Sequence, residues 1–360
     1  MPVRGARHWP VVVPVLSLLL LAAAFLLPLA PVLTAVCVAA LTAVVIAAVH
    51  HAEVVAYRVG EPFGTLVLAL AVTVIEAALI VSMMLAGGAG KAALARDSVY
   101  AAVMIICTGV VGLCLLAGGL RHREQSFRSE GAGPALAALV SLATIVLVLP
   151  VFTTSAPGPR YTSSQLAFTA IASLALWAVF VFFQTIRHRD YFLPLRAGAE
   201  DGDHAAPPTA AQAWASFGLL LVSLVAVVGL AKALSPRIET AVAAAGAPPA
   251  AIGVAIAMLV LLPESWAALR AALANRLQTS MNLALGSALA TIGLTIPVVA
   301  LAAAGFKLPL VLGLPPKDLV LLALAFLVST ITLGTGRTNL MQGAVHLVIF
   351  AAFLFLTLVP

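Results

Sequence analysis

Charge is scarce in this chain. Asp, Glu, Lys and Arg make up 9% of the 360 residues, against about a quarter in a soluble domain, so too little polar sequence exists to build a separate water-soluble domain. Cysteine is scarcer. Cys37, Cys107 and Cys114 each lie in an apolar stretch, with no CxxC or Cys/His spacing; that excludes a disulfide framework or a zinc site and leaves buried, inert thiols. The net charge of +6 is spread over basic residues scattered between apolar runs, which excludes a nucleic-acid surface. Clustered acids at a helix end, which a lipid-modifying transferase needs to hold metal and diphosphate, are missing too. Glu200, Asp201 and Asp203 share a loop that is too flexible in composition to preorganise a site. An integral-membrane lipid-modifying enzyme is therefore the weaker alternative from another class. A passive channel is a further one, disfavoured because no single helix carries a ring-forming acidic motif.

Hydrophobic residues fill what charge leaves. They make up 63% of the chain, and the mean hydropathy is +1.15. Crossing the hydrocarbon core takes about 20 apolar residues. That length predicts an all-α integral membrane protein of about eleven helices, near 10–29, 32–52, 63–86, 98–119, 134–154, 164–186, 213–233, 248–268, 279–303, 317–335 and 340–358. Breaks are expected at Pro28 and Pro31, Gly87-Gly88, Gly118-Gly119, Ala156-Pro157-Gly158 and Pro248-Pro249, where proline and glycine interrupt the pattern. The first apolar run reads as an uncleaved helix rather than a signal peptide, because another spanning stretch follows almost at once.

Basic residues orient the spans. With the N-terminus inside, Arg4, Arg7, Arg58, Arg121, Arg123, Arg128, Arg187, Arg189, Arg196, Arg270, Arg276 and Arg337 fall on the cytoplasmic side, twelve of nineteen. Lys91, Arg96, Arg160, Lys232, Arg237, Lys307 and Lys317 fall outside. The expected location is the inner (plasma) membrane, multi-pass, with a cytoplasmic N-terminus. The lipid bilayer is the expected partner, and a homo-oligomer is compatible with the sequence.

The chain divides into an accessory helix (1–30), a five-helix repeat (31–186), a polar cytoplasmic linker (187–212) and a second five-helix repeat (213–360). An odd number of helices per repeat forces the second to cross in the opposite sense, the inverted plan of many secondary transporters.

Two acids stand apart from the other eleven. Asp97, Glu124, Glu130, Asp190, Glu200, Asp201, Asp203, Glu239 and Asp318 fall in predicted loops or at helix ends, and Glu53 and Glu61 flank the cytoplasmic junction of the second and third helices. Only Glu76 and Glu264 lie deep in apolar runs, at matching positions of the two repeats. A carboxylate at bilayer depth is costly and usually marks an ion or proton pathway.

The surroundings offer oxygen. Thr73 lies one turn before Glu76 on the same face. Pro263 has no N–H, which frees the carbonyl of Leu259. Ser280, Ser287 and Thr291 are spaced to form one polar stripe. Asn282, Thr108 and Ser82 are further candidates, although hydroxyls in membrane helices often bond their own backbone. His346 and Gln342, one turn apart, are more consistent with structural interhelical hydrogen bonds than with a proton path.

Several short blocks carry a family resemblance. His51 to Gly64 (HAEVVAYRVGEPFG), leading into Glu76, resembles the first-repeat signature of the cation/proton exchangers of the calcium/cation antiporter superfamily. Leu262-Pro263-Glu264, Met281 to Ser287 (MNLALGS) and Thr295 to Val298 (TIPV) resemble its second-repeat counterpart. Phe183-Gln184 and Gly336 to Gly343 (GRTNLMQG) match as well. The blocks occur in order over most of the chain after the first helix and are most similar to the ChaA-type calcium (or sodium)/proton antiporters.

The resemblance implies one accessory helix plus two inverted five-helix repeats, with an ion site between the glutamates of the third and eighth helices, Glu76 and Glu264. It implies calcium export against protons by alternating access, with sodium or potassium as the alternative cation and no cofactor. The pattern departs at Ala71-Val72-Thr73 and Val260-Leu261-Leu262, where relatives often carry Gly-Asn or Gly-Thr-Ser. Calcium normally takes six to eight oxygens, so backbone carbonyls and water would have to complete its shell.

Overall fold

The computed structural model describes residues 8–28, 30–60, 63–193 and 208–359. Among them are eleven helices long and apolar enough to cross a membrane. They are α1 (Trp9–Leu26), α2 (Pro31–Val59), α3 (Phe63–Gly87), α4 (Leu94–His122), α5 (Ser129–Phe152), α6 (Ser163–Arg187), α7 (Ala210–Ala244), α8 (Ala250–Leu273), α9 (Leu277–Phe306), α10 (Pro316–Gly334) and α11 (Leu340–Leu358). Starts follow local chemistry. Pro31 and Pro316 occupy first helical positions, where a missing N–H costs nothing. Thr162 with Gln165, Thr209 with Gln212, and Asn339 with Gln342 form capping boxes at α6, α7 and α11.

Three expectations are corrected. The pair Gly118-Gly119 does not break α4, which runs on to His122. A Cβ on Gly118 would collide with the Gln125 side chain, and one on Gly119 would lie 2.8 Å from Leu340 N, so these glycines serve close packing. Helix α2 extends to Val59, which places Glu53 inside it rather than beside it. Helix α7 runs 35 residues and carries Glu239 within its length, not in a loop.

The chain forms two compact units, which cut across the sequence halves: Met1–Lys91 with Glu200–Ala245, and Ala92–Ala199 with Gly246–Pro360. The first contains α1, α2, α3 and α7, with α2 making its most extensive pairing along α7. Ser82 Oγ donates to the Val228 carbonyl at 3.1 Å and Lys91 Nζ meets Glu239 at 3.0 Å, so α3 and α7 run parallel, as two odd-numbered spans must.

The second unit contains the other seven helices around a core that includes Met104, Leu139, Leu285, Ile292 and Phe353. Its mid-point is α4, the most enclosed span. A two-stranded antiparallel ribbon, β1 (Glu124–Ser126) with β2 (Arg337–Asn339), pairs Gln125 with Thr338.

Helices α4 and α9 both contain a π-helical turn near mid-span, Ile105–Val110 and Thr291–Thr295. Each turn includes a glycine packed on an aromatic ring. A Cβ on Gly109 would lie 3.2 Å from the Phe350 ring of α11, and one on Gly293 would lie 2.9 Å from Trp177 Cγ of α6. The fourth helix meets the eleventh as the ninth meets the sixth, the correspondence expected of two repeated halves.

Candidate functional site

In the first unit Glu76 is only 2% exposed, among Ile75, Ala77, Leu79 and Ile80, all buried. Thr73 is buried one turn earlier on its face. Ser82 is committed to Val228. Because α3 and α7 run parallel, stepping back six residues from Ser82 and from Val228 brings Glu76 level with the neighbourhood of Ser223. That serine is fully buried, and its hydroxyl donates to the Leu219 carbonyl at 2.8 Å. It was missed in the sequence because nothing there reveals which helix faces α3. Glu53 is half-buried in the last turns of α2, and Glu61 lies outside the described residues.

In the second unit Glu264 is half-buried on α8, with Oε2 shielded from solvent. Pro263 is accommodated inside a continuous helix; its missing N–H leaves the half-buried Leu259 without the usual helical donor. Helices α4 and α8 run parallel, tied by Gly253 against Asp97 at one end and by His122 Nε2 donating to the Leu273 carbonyl at 2.9 Å towards the other. Counted from Gly253 and Asp97, Glu264 is level with Thr108, and counted from His122 and Leu273 it is level with Leu113, so Thr108 stands within about a turn of Glu264's height. Thr108 is fully buried, and its hydroxyl proton goes to the Met104 carbonyl of its own helix. Its oxygen lone pairs therefore point away from that carbonyl.

The stripe on α9 is divided. Thr291 is buried and opens the π turn, Ser287 is half-buried, and Ser280 is fully buried against the Cys114 thiol. Asn282 has other work, which revises its place among the ion candidates. Its amide donates to the Phe192 carbonyl at 2.7 Å and its oxygen accepts from Gln278 Nε2 at 2.9 Å, while Gln278 Oε1 accepts from Arg128 N at 2.6 Å. This amide chain pins the end of the segment after α6.

His346 is fully buried. Nδ1 lies 2.8 Å from the Cys107 carbonyl and must carry the proton there, since a carbonyl only accepts; Nε2 lies 3.1 Å from Thr332 Oγ1. The acceptor exists because the π turn shifts the helical ladder around Cys107. Gln342 caps α11 through Asn339 N at 3.1 Å. The His346 contacts join α11 to α4 and α10, the interhelical role expected of it; Gln342 departs from that expectation, since its bond stays at the start of its own helix.

Two further groups of charges have no signal in the apolar pattern. Arg96 pairs with Asp97 at 2.8 Å and donates to the Gly313 carbonyl at 3.1 Å, with the Tyr100 hydroxyl beside the Asp318 carboxylate. Lys91 pairs with Glu239 at 3.0 Å. Among the described residues no group of three or more His, Cys, Asp or Glu is arranged to hold a metal ion.

Eleven apolar spans, paired π turns and a buried glutamate in α3 define a polytopic membrane protein with an acid at mid-span. More particularly, the chain belongs to the sodium/calcium exchanger protein family, whose profile matches residues 29–186 and 215–359. That is a family of transporters, not of lipid-modifying enzymes. The chain is 51% identical over 317 residues to y4hA of Sinorhizobium fredii, covering 87% of this chain and 85% of that one. It is 38% identical over 311 residues to the sodium-potassium/proton antiporter ChaA of Escherichia coli, covering 85% and 83%. Two solved structures share the fold. Native YfkE superposes with a TM-score of 0.72 at 19% identity, covering 98% of this chain and 99% of that one. The H+/Ca2+ exchanger CAX gives 0.71 at 15% identity, covering 95% and 86%.

Proposed function

We propose that this protein is a secondary active cation/proton antiporter in which Glu76 and Glu264 bind cation and proton in turn. The observation that carries this is the burial of Glu76 at mid-span in a member of the sodium/calcium exchanger family, with Glu264 at the matching place of the other repeat. A carboxyl holds a proton or helps hold a cation, not both, and that competition is the exchange rule. Cation binding therefore weakens as pH falls. Two carboxylates neutralise one divalent ion or release it to two protons, and one proton per monovalent ion obeys the same rule. Thr73, the Leu259 carbonyl, Ser287, Thr291 and Thr108 supply further oxygens. Alternating access by the two repeats, 31–186 and 213–360, converts an inward proton gradient into cation export from the cytoplasm. The Lys/Arg distribution supports a cytoplasmic N-terminus in the plasma membrane.

Calcium is the first candidate for the cation. It is the cargo named for the calcium/proton antiporter of Aphanothece halophytica, which is 28% identical over 273 residues. Sodium or potassium is the second reading, favoured by the higher identity to ChaA and by the commitment of Asn282 to structural bonds, which thins the oxygen shell calcium needs. Proton-flux dequenching in proteoliposomes, with calcium, sodium and potassium added in turn, separates them. Glu76→Gln and Glu264→Gln should each abolish exchange in folded protein. Wild-type rates in either variant would refute the assignment, and flux indifferent to the pH gradient would indicate a channel.

A further inference from the structure

We propose that Lys91 and Glu239 form an electrostatic latch that positions the end of the Glu76-bearing helix and thereby sets the maximal rate of exchange. The proposal rests on the antiport reading and adds two residues to it.

Helix α3 ends at Gly87, and a 3₁₀ turn, Gly88–Lys91, follows. The turn folds Lys91 back over the helix end. A Cβ on Gly87 would clash with Lys91 Cγ and lie 3.0 Å from Lys91 Cε, so glycine is what leaves the lysine room. The cation thus covers the negative end of the α3 dipole, with a side chain just 8% exposed. Its ammonium reaches Glu239 Oε1 at 3.0 Å on α7. That same oxygen accepts from Ser235 Oγ, one turn earlier on α7, at 3.0 Å. A buried ammonium is tolerable only when paired, and the carboxylate is steered to it by its own helix.

The consequence reaches Glu76 because α3 is anchored to α7 at two heights, by Ser82 on Val228 and by Lys91 on Glu239. The latch fixes the outer of these points, on the side opposite the chain's N-terminus. Lys91 and Glu239 are positioning residues, which predicts an effect on turnover and not on ion affinity. It also predicts an asymmetry. Removing Glu239 strands a buried ammonium, whereas removing Lys91 leaves a carboxylate that is 43% exposed and can be hydrated.

The test is exchange per folded protein in proteoliposomes, with folding checked by size exclusion. Lys91→Met should lower the maximal rate about threefold and Glu239→Gln about tenfold, with the half-saturating cation concentration unchanged. The double variant should be no slower than Glu239→Gln alone. Exchanging the charges, Lys91→Glu with Glu239→Lys, pairs one short and one long side chain as before and should run faster than Glu239→Gln, though below the unaltered protein, because the carboxylate then meets the negative end of the α3 dipole and Ser235 loses its acceptor. Gly87→Ala, which dislodges Lys91 without touching any charge, should match Lys91→Met. Additive losses, or a charge exchange no faster than the slower single variant, would overturn the latch. Absence of exchange in the unaltered protein would instead overturn the antiport reading, and the latch's effect on rate with it.

Discussion

Replacing Gly343 with alanine tests how closely α11 is seated on α4. A Cβ there would lie 2.8 Å from Leu116 Cα and 2.9 Å from the Gly112 carbonyl oxygen. Every obstacle is backbone, so no rotamer change relieves the clash and the two helices must part. Overpacking costs about 1–3 kcal/mol, and a contact of this kind belongs at the upper end. Alanine recovers about 0.5–1 kcal/mol of helix propensity over glycine. The net loss is about 2 kcal/mol, which lowers the melting temperature of a chain this long by about 2–3 °C. Gly218 on α7 provides the control, since a Cβ added there meets nothing within 4 Å; Gly218→Ala should raise stability by about 0.5–1 kcal/mol. Both variants can be followed by thermal melts of detergent-solubilised protein, read as the fraction still monodisperse by size exclusion. If Gly343→Ala melts at or above the wild-type temperature, the close approach of α4 and α11 is wrong, and with it the placement of His346 on Cys107.

Other outcomes follow from the same geometry. Thr108→Val should raise the half-saturating cation concentration while Thr108→Ser preserves it, because the hydroxyl gives its proton to Met104 and offers its lone pairs within about a turn of Glu264's height; equal affinity in all three proteins would remove Thr108 from the ion shell. His346→Phe deletes the bonds to Cys107 and Thr332 and should destabilise the protein by about 1–3 kcal/mol. Ser173→Ala should not lower stability at all, since the Ser173 hydroxyl is buried without a hydrogen-bond partner among the described residues.

The number of spans was legible because it depends only on run length and on proline and glycine at the ends. Helix ends were less so. His51 to Arg58 and Ser235 to Glu239 carry polar residues that end an apolar count, yet those side chains can be paired or lie at a membrane face while the backbone stays helical. Glu76 was legible as a buried acid because it interrupts an apolar run. The commitment of Asn282 to Phe192 was not, since it joins residues ninety positions apart. Nor was the seat of Lys91, because an apolar pattern reports that a face is covered and not what covers it. Gly118-Gly119 shows the same limit. Glycine pairs in sequence read as breaks, while in the packed helix they mark where another chain segment comes close.

The paired π turns bear on how far the two halves have diverged. Phe350 and Trp177, the rings packed on Gly109 and Gly293, are 173 residues apart, and so are His346 and Ser173. Each partner helix thus presents a polar residue one turn before its aromatic one. In the α4–α11 pair that residue is a histidine long enough to capture the Cys107 carbonyl exposed by the π turn. In the α9–α6 pair it is a serine, too short to do the same, and its hydroxyl has no hydrogen-bond partner among the described residues. The hydrogen bond from His346 therefore ties the α4 turn to α11, and the Ser173 hydroxyl gives the α9 turn no equivalent tie to α6.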